Sequence, residues 1–163
     1  MDRRLIYLLI LVATAAILQQ IPWLQFAGVR PNWTLAALLL AIFLVRGWVE
    51  YLVLVVAAAA LLLPLPNQLL ISEINSWVGA AAALAATAVA AYLIRQILPW
   101  QSFLNYLLLV VLGTAGFYLL LDRAFLISRG PLFFQELLYN LILGAVLFIA
   151  VTRIYHKKTG IRI

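Results

Sequence analysis

The chain has 163 residues, of which 67% are apolar and 10% are charged, whereas soluble proteins average roughly 45–50% apolar and about 25% charged residues. No stretch is long and polar enough to fold outside lipid, which excludes a soluble catalytic domain, a nucleic-acid reader and a disordered tail. The chain has no cysteine, so disulfides and thiolate chemistry are excluded, and its formal net charge of +6 must be assigned to one side of a membrane.

The first apolar run follows the basic start at residues 1–4 and ends near Gln19. Its length and basic flank resemble those of a signal-peptide core. A cleavage site would need small residues after this run, whereas the chain continues to Pro22 and Trp23, which are typical of a helix end at the membrane interface. We therefore predict a retained first span over about residues 5–21.

Two short apolar runs follow, and the charged residues Arg46 and Glu50 lie between them. The first run begins after Pro31 and Asn32, which suit the start of a helix. A single long helix would place both charges in mid-span, at roughly 2.5–3.5 kcal/mol each. We therefore favour two spans, over about residues 33–46 and 49–63, joined by a tight cytoplasmic turn.

The next segment, residues 64–76, has an apolar and a polar face at helical spacing, which predicts a helix in the membrane interface. An alanine-rich fourth span over about residues 77–95 follows. Small residues at four-residue spacing let a neighbouring backbone approach closely, so we expect this helix to be buried in the bundle. The expected helix-packing positions here are Gly79, Ala82, Ala86 and Ala90.

The fifth span, over about residues 103–121, contains Gly113 and Gly116 as a second small-residue contact. The sixth, over about residues 134–154, precedes a basic tail that contains His156. The sequence therefore predicts an all-α integral membrane protein, a compact bundle of six transmembrane helices that forms a single domain over residues 1–163.

Charge distribution predicts the orientation of this bundle. With six spans and a cytoplasmic N-terminus, eight Lys and Arg residues face the cytoplasm and three face outward, in agreement with the positive-inside rule. We therefore expect a bacterial cytoplasmic (inner) membrane protein with both termini in the cytoplasm. The basic tail is interpreted as a topological anchor, with recognition of an anionic lipid as the alternative.

Polar and aromatic side chains in the outer halves of the spans are candidates for contacting a partner or lining a pocket. Glu136 and Asn140 are four residues apart and share one helical face. Ordinary placement at the membrane interface remains an alternative for them. The complete set of candidates is Asn32, Trp33, Trp77, Glu136, Tyr139 and Asn140. We expect no catalytic, metal-ligating or cofactor-binding residue, since no motif for such a site occurs.

Two local segments carry a resemblance to a known family. Residues 30–35, Arg-Pro-Asn-Trp-Thr-Leu, look like the Arg-Pro-Asp-hydrophobic opening of the second span in the rod-shape-determining protein MreD. Residues 138–141, Leu-Tyr-Asn-Leu, resemble part of the last helix of that family. With six short spans in 163 residues, the resemblance covers almost the whole chain.

The resemblance to MreD implies a non-catalytic membrane subunit of the bacterial cell-elongation (rod) complex. Such a subunit binds the bitopic protein MreC and helps to organise peptidoglycan synthesis and cell shape, with a wall glycosyltransferase and transpeptidase as further partners besides membrane lipid. The resemblance also implies a fold similar to the substrate-binding subunits of energy-coupling-factor transporters. A small-molecule carrier subunit of that kind is the alternative function.

Overall fold

The computed structural model describes residues 3–21, 32–61, 71–98, 102–121 and 129–159, with side chains over 4–21, 32–61, 78–98, 102–121 and 129–153. These residues form helices and no strand, which confirms the all-α prediction for the described part of the chain. The helices are α1 Arg3–Gln19, α2 Trp33–Leu44, α3 Trp48–Leu61, α4 Ile71–Ile97, α5 Phe103–Leu121 and α6 Gly130–Thr159.

Three of these helices are long and apolar enough to cross a membrane, whereas the sequence predicted six spans. The three segments are Val78–Ile97 in α4, Phe103–Leu121, which is all of α5, and Gly130–Arg153 in α6. The helices α1, α2 and α3 are apolar but have only 17, 12 and 14 residues. At about 1.5 Å per residue α2 is roughly 18 Å long, against about 30 Å for the hydrocarbon core of a bilayer.

Two helix boundaries show how local chemistry ends or extends a helix. The chain leaves the helical conformation at Val45, whose backbone is extended, and the Glu50 carboxylate accepts a hydrogen bond from the Arg46 N–H at 3.0 Å. By contrast, α4 runs without interruption from Ile71, because neither proline nor glycine occurs between residues 71 and 78. Residues 71–76 therefore belong to the same helix as the predicted fourth span, and residues 64–70 lie outside the described part.

The described helices meet in a bundle whose two ends differ in chemistry. Arg4, at the start of α1, and Arg95, near the end of α4, both contact the last turn of α2. Gln19, at the end of α1, and Asn140 of α6 contact its beginning. We call the first of these the arginine end of the bundle and the second the amide end.

The central element is α2. Every residue from 34 to 44 is buried, and α2 contacts each of the other five helices. Its sequence is apolar on all sides, which is typical of a helix enclosed by protein. The sequence predicted that the fourth span would be buried, but over residues 78–97 only one face of α4 is covered, on which Ala83, Leu84, Thr87, Ala88 and Ala91 lie.

The outer surface of the bundle is strongly apolar. Large side chains that are more than half exposed include Ile17 of α1, Val56 of α3, Leu104 of α5 and Phe134 of α6. Such a surface is unfavourable in water and favourable in lipid. It agrees with the membrane character indicated by the three long helices.

Candidate functional site

The amide end is built around the first turn of α2. The first N–H groups of a helix have no acceptor within that helix. Here three amide side chains provide acceptors: Asn32 Oδ1 accepts from the Leu35 N–H at 3.0 Å, Gln19 Oε1 from the Trp33 N–H at 2.7 Å, and Asn140 Oδ1 from the Asn32 N–H at 2.9 Å. At this half-buried helix start, these side chains take the place that water holds at an exposed one.

The amide end continues along α5 and α6. Asn140 is completely buried, and its Nδ2 lies 3.4 Å from Thr114 Oγ1. One turn earlier Glu136, which is 5% exposed, accepts a hydrogen bond from the Tyr118 hydroxyl. Glu136 and Asn140 thus both face the interior, and Asn140 is bonded to Asn32. The buried carboxyl group obtains a donor without leaving the bundle.

Two polar groups at the amide end lack a hydrogen bond. The indole Nε1 of Trp33 and the hydroxyl of Thr34 are buried and have no partner among the described residues. The Tyr139 hydroxyl accepts a hydrogen bond from Gln135 Nε2 at 3.0 Å within α6. Trp77 belongs to α4, and its side chain lies outside the described residues.

The arginine end satisfies the opposite terminus of α2. The last carbonyl groups of a helix have no donor within it and carry the negative end of the helix dipole. Arg95 Nη1 donates to the Ile42 carbonyl at 3.0 Å, and Arg4 Nη2 donates to the Leu44 carbonyl. Two positive side chains from two different helices therefore hold the end of α2, where positive charge is favoured.

More polar side chains surround Arg95. Arg4, Glu50 and Tyr92 all interact with it electrostatically. The ring of Tyr92 stacks on that of Tyr51, with ring centres 4.6 Å apart and an interplanar angle of 28°. This end thus combines charges from α1, α3 and α4 around the same helix terminus.

The middle of α2 is held by close packing. Gly113 of α5 faces Leu39, and a Cβ atom at this glycine would lie 2.7 Å from Leu39 Cδ1. Tyr106 is completely buried, and its hydroxyl lies 3.4 Å from the Ala36 carbonyl. A glycine at position 113 therefore allows α5 to approach the central helix.

The other small residues chosen from the sequence lie farther outward. Ala86, Ala90 and Gly116 line a groove between α4 and α5, and Gly113 also lines this groove. Gly79 and Ala82 are exposed, and a Cβ atom at Gly79 would meet nothing within 4 Å. Of the predicted helix-packing positions, Gly113 thus contacts α2. The others lie in the groove or on the outer surface of the bundle.

Sequence reasoning did not identify three side chains that bond to α2, namely Gln19, Arg4 and Arg95, or Thr114, which bonds to Asn140. Gln19 and Arg4 were assigned to the ends of the first span, and Arg95 to the end of the fourth. A signal existed for Arg95, since it is the only charged residue between positions 74 and 121. Thr114 stands between two glycines in an apolar run and has no comparable signal.

No family model, no curated protein and no solved structure matches the chain. Among the described residues, no three His, Asp or Glu side chains lie together as metal ligands could. The amide end provides hydrogen-bonding groups around one buried carboxyl group, that of Glu136. The arginine end provides positive charge.

Proposed function

We propose that this chain is a non-catalytic membrane subunit that works by binding other membrane components. This proposal is supported by the hydrogen bonds that polar side chains of the bundle make with one another and with the start of α2. Asn32, Asn140 and Gln19 bond to the start of α2 or to each other, and Glu136 bonds to Tyr118. Because these groups are occupied in holding the bundle together, the exterior is the part of the molecule that remains for recognition.

In its finer form, the proposal gives the chain the role of MreD in the bacterial rod complex. There it would bind an MreC-like bitopic protein and help to organise a wall glycosyltransferase and transpeptidase. The two segments that carry the resemblance, residues 30–35 and 138–141, support this form because Asn32 in one is hydrogen-bonded to Asn140 in the other. Segments 108 residues apart in sequence therefore belong to a single network.

The proposed membrane arrangement has six spans, with the arginine end in the cytoplasm of a bacterial cell. The short helices α1 and α2 run between the two ends of the bundle in opposite directions, and α3 starts at the arginine end, where α2 stops. The cluster of positive residues at one end agrees with the positive-inside rule. In this arrangement, the bilayer must be thinned or the short helix ends covered by protein.

Two cysteine variants test this arrangement, because the natural chain has no cysteine. A Cβ atom at Gly47, near the arginine end, or at Gly130, near the amide end, meets nothing within 4 Å. We expect a membrane-impermeant thiol reagent to label Gly47→Cys only from the cytoplasmic side and Gly130→Cys only from outside. Labelling of both from the same side would contradict the six-span topology.

Purification of the tagged chain from its own host in mild detergent, followed by mass spectrometry, tests the function. We expect a single-pass protein with an extracytoplasmic coiled coil, together with wall synthases, in amounts that a tagged control membrane protein does not retain. Reconstitution of the purified pair would then establish direct binding. A purified pair that does not associate would contradict the proposed role.

The carrier alternative is favoured by the two unpaired groups at the amide end. The Trp33 indole N–H and the Thr34 hydroxyl could hydrogen-bond a small polar molecule that enters from this end. The same purification separates the two functions. A cytoplasmic ATPase pair with a membrane coupling subunit would identify a transporter component instead of a rod-complex subunit.

A further inference from the structure

The arginine end concentrates positive charge beyond what the end of α2 requires. Arg4 and Arg95 donate to α2 carbonyls, and Arg46 follows the helix by two residues with an exposed side chain. Glu50, on α3, is the carboxylate that interacts with Arg95. Two guanidinium groups thus lie at this helix terminus and a third arginine follows it in the chain, so among the described residues of this end the positive charges outnumber the Glu50 carboxylate.

Holding Arg4 and Arg95 at one helix terminus places like charges close together. The two side chains interact electrostatically, and their bonds to the Ile42 and Leu44 carbonyls keep them from moving apart. A bound anion would lower this repulsion and could accept hydrogen bonds from more than one guanidinium group.

A buried hydroxyl provides an independent indication of a ligand. Tyr51 is 6% exposed, and its hydroxyl has no hydrogen-bond partner among the described residues. The Tyr51 ring stacks on Tyr92, which lies three residues before Arg95 on the same face of α4. A hydroxyl that loses water on burial needs a replacement partner, and an anionic oxygen is an effective one.

Exposed apolar side chains near these charges favour a phospholipid over a free anion as the ligand. Trp48 and Val49 are 64% and 58% exposed, and Ile97, two residues after Arg95, is 81% exposed. A free phosphate would gain nothing from this surface. A phospholipid would place its acyl chains against it, with the tryptophan at headgroup level.

From these observations we propose that Arg4, Arg46 and Arg95 form a binding site for the headgroup phosphate of an anionic phospholipid, with the Tyr51 hydroxyl as a further donor. The inference rests on the membrane placement given under the proposed function and is independent of the protein partner. Basic pockets between helices near the cytoplasmic face are suited to such headgroups.

Quenching of tryptophan by brominated lipid tests the site in the full chain. The protein is reconstituted into phosphatidylcholine vesicles that contain increasing fractions of dibrominated phosphatidylglycerol or, in parallel, dibrominated phosphatidylcholine. The signal that disappears in a Trp48→Phe variant reports on lipid beside Trp48. We expect the brominated phosphatidylglycerol to quench this signal at a several-fold lower mole fraction, and equal quenching by both lipids would overturn the proposal.

Charge variants separate a site from the general positive field. Arg46 donates to Glu50 through its backbone N–H, which Arg46→Gln retains. The bonds of Arg4 and Arg95 to the α2 carbonyls also stay in place. We expect this change to reduce the preference for phosphatidylglycerol about fivefold. Arg153→Gln, an exposed arginine on α6 toward the same end, should leave the preference unchanged. An equal reduction in both variants would show attraction to the whole face and would overturn the site.

Two further outcomes remain distinguishable. Displacement of phosphatidylglycerol by a large excess of inorganic phosphate would show that the site recognises a soluble anion and would overturn the lipid assignment. The vesicles carry the lipid in both leaflets, so the measurement does not depend on which end of the protein faces the cytoplasm. Failure of the partner purification would therefore leave the lipid result standing on its own.

Discussion

The two ends of α2 meet the same requirement with opposite chemistry. At the amide end, neutral side chains accept hydrogen bonds from backbone N–H groups, and Asn140 is completely buried. At the arginine end, charged side chains donate to backbone carbonyls, and Arg95 remains partly exposed. A neutral amide can be buried when it is hydrogen-bonded, whereas a guanidinium group needs access to water or an anion. The fully buried member of the amide end is accordingly the neutral Asn140, whereas Gln19 and Asn32 are half-buried, as Arg95 is.

The largest expected loss of stability comes from disturbing the close packing of α5 against the middle of α2. Gly113→Val places new atoms against Leu39, which is completely buried and cannot move away freely. We expect a loss in the free energy of unfolding near the top of the roughly 1–3 kcal/mol range for overpacking. The measurement is an SDS titration of the purified chain in mixed micelles.

Gly116→Val is the control for this change, since a Cβ atom there meets nothing within 4 Å. Both variants replace a glycine of α5 by valine, so their helix propensities change equally. Equal stability of the two variants would show that α5 does not pack closely on α2.

The amide end should show the next largest effect. Asn140→Leu removes the acceptor of the Asn32 N–H and the partner of Thr114. We expect a loss of about 2 kcal/mol, because buried donors are left without partners. Tyr139→Phe, one residue earlier, removes a half-buried hydroxyl that accepts from Gln135 within α6 and should cost less than half as much in the same titration. A Tyr139 variant as unstable as Asn140→Leu would show that the loss is not specific to the Asn140 hydrogen bonds.

At the arginine end the corresponding change should be milder. Arg95→Gln removes the bond to the Ile42 carbonyl, but this partly exposed region allows water to replace the lost donor. We expect a loss of about 1 kcal/mol. A loss greater than that of Asn140→Leu, measured under the same conditions, would reverse the comparison between the two ends.

The smallest effect concerns the coupling between the ends. They are separated by the length of α2, which is about 18 Å for its 12 residues. We expect the double variant Asn140→Leu with Arg95→Gln to lose the sum of the two single losses within about 0.5 kcal/mol. A larger coupling energy would mean that α2 shifts as a rigid unit when either end is released.

Parts of this fold could be predicted because local chemistry determines them. The break between α2 and α3 follows from the cost of placing Arg46 and Glu50 inside an apolar helix, and the structure ends α2 at Leu44. The shared face of Glu136 and Asn140 follows from their four-residue spacing alone. Each of these features depends on residues that are close in sequence.

The covered face of α4 and the contact between α2 and α6 could not be predicted, since the sequence pattern does not indicate which side of a helix faces its neighbours. Alanine occupies most positions from 80 to 91, so small residues occur on every face of α4 and a four-residue spacing can be found on any of them. The covered face includes Ala83 and Thr87, while Ala82, Ala86 and Ala90 are exposed. Likewise, the bond between Asn32 and Asn140 depends on how α2 and α6 pack and not on any local signal.

The enclosure of α2 also sets an order on biosynthesis. A ribosome completes α2 before it has made Arg95, 53 residues beyond Ile42, or Asn140, 108 residues beyond Asn32. Arg4, Gln19 and Asn32 precede α2 in the chain and are available at once, whereas the Ile42 carbonyl and the Asn32 N–H must bond to water or to other groups until Arg95 and Asn140 are made. The second helix made thus completes its hydrogen bonds only after the last helix has been made. A nascent chain that stops before α6 therefore leaves the Asn32 N–H without the Asn140 acceptor.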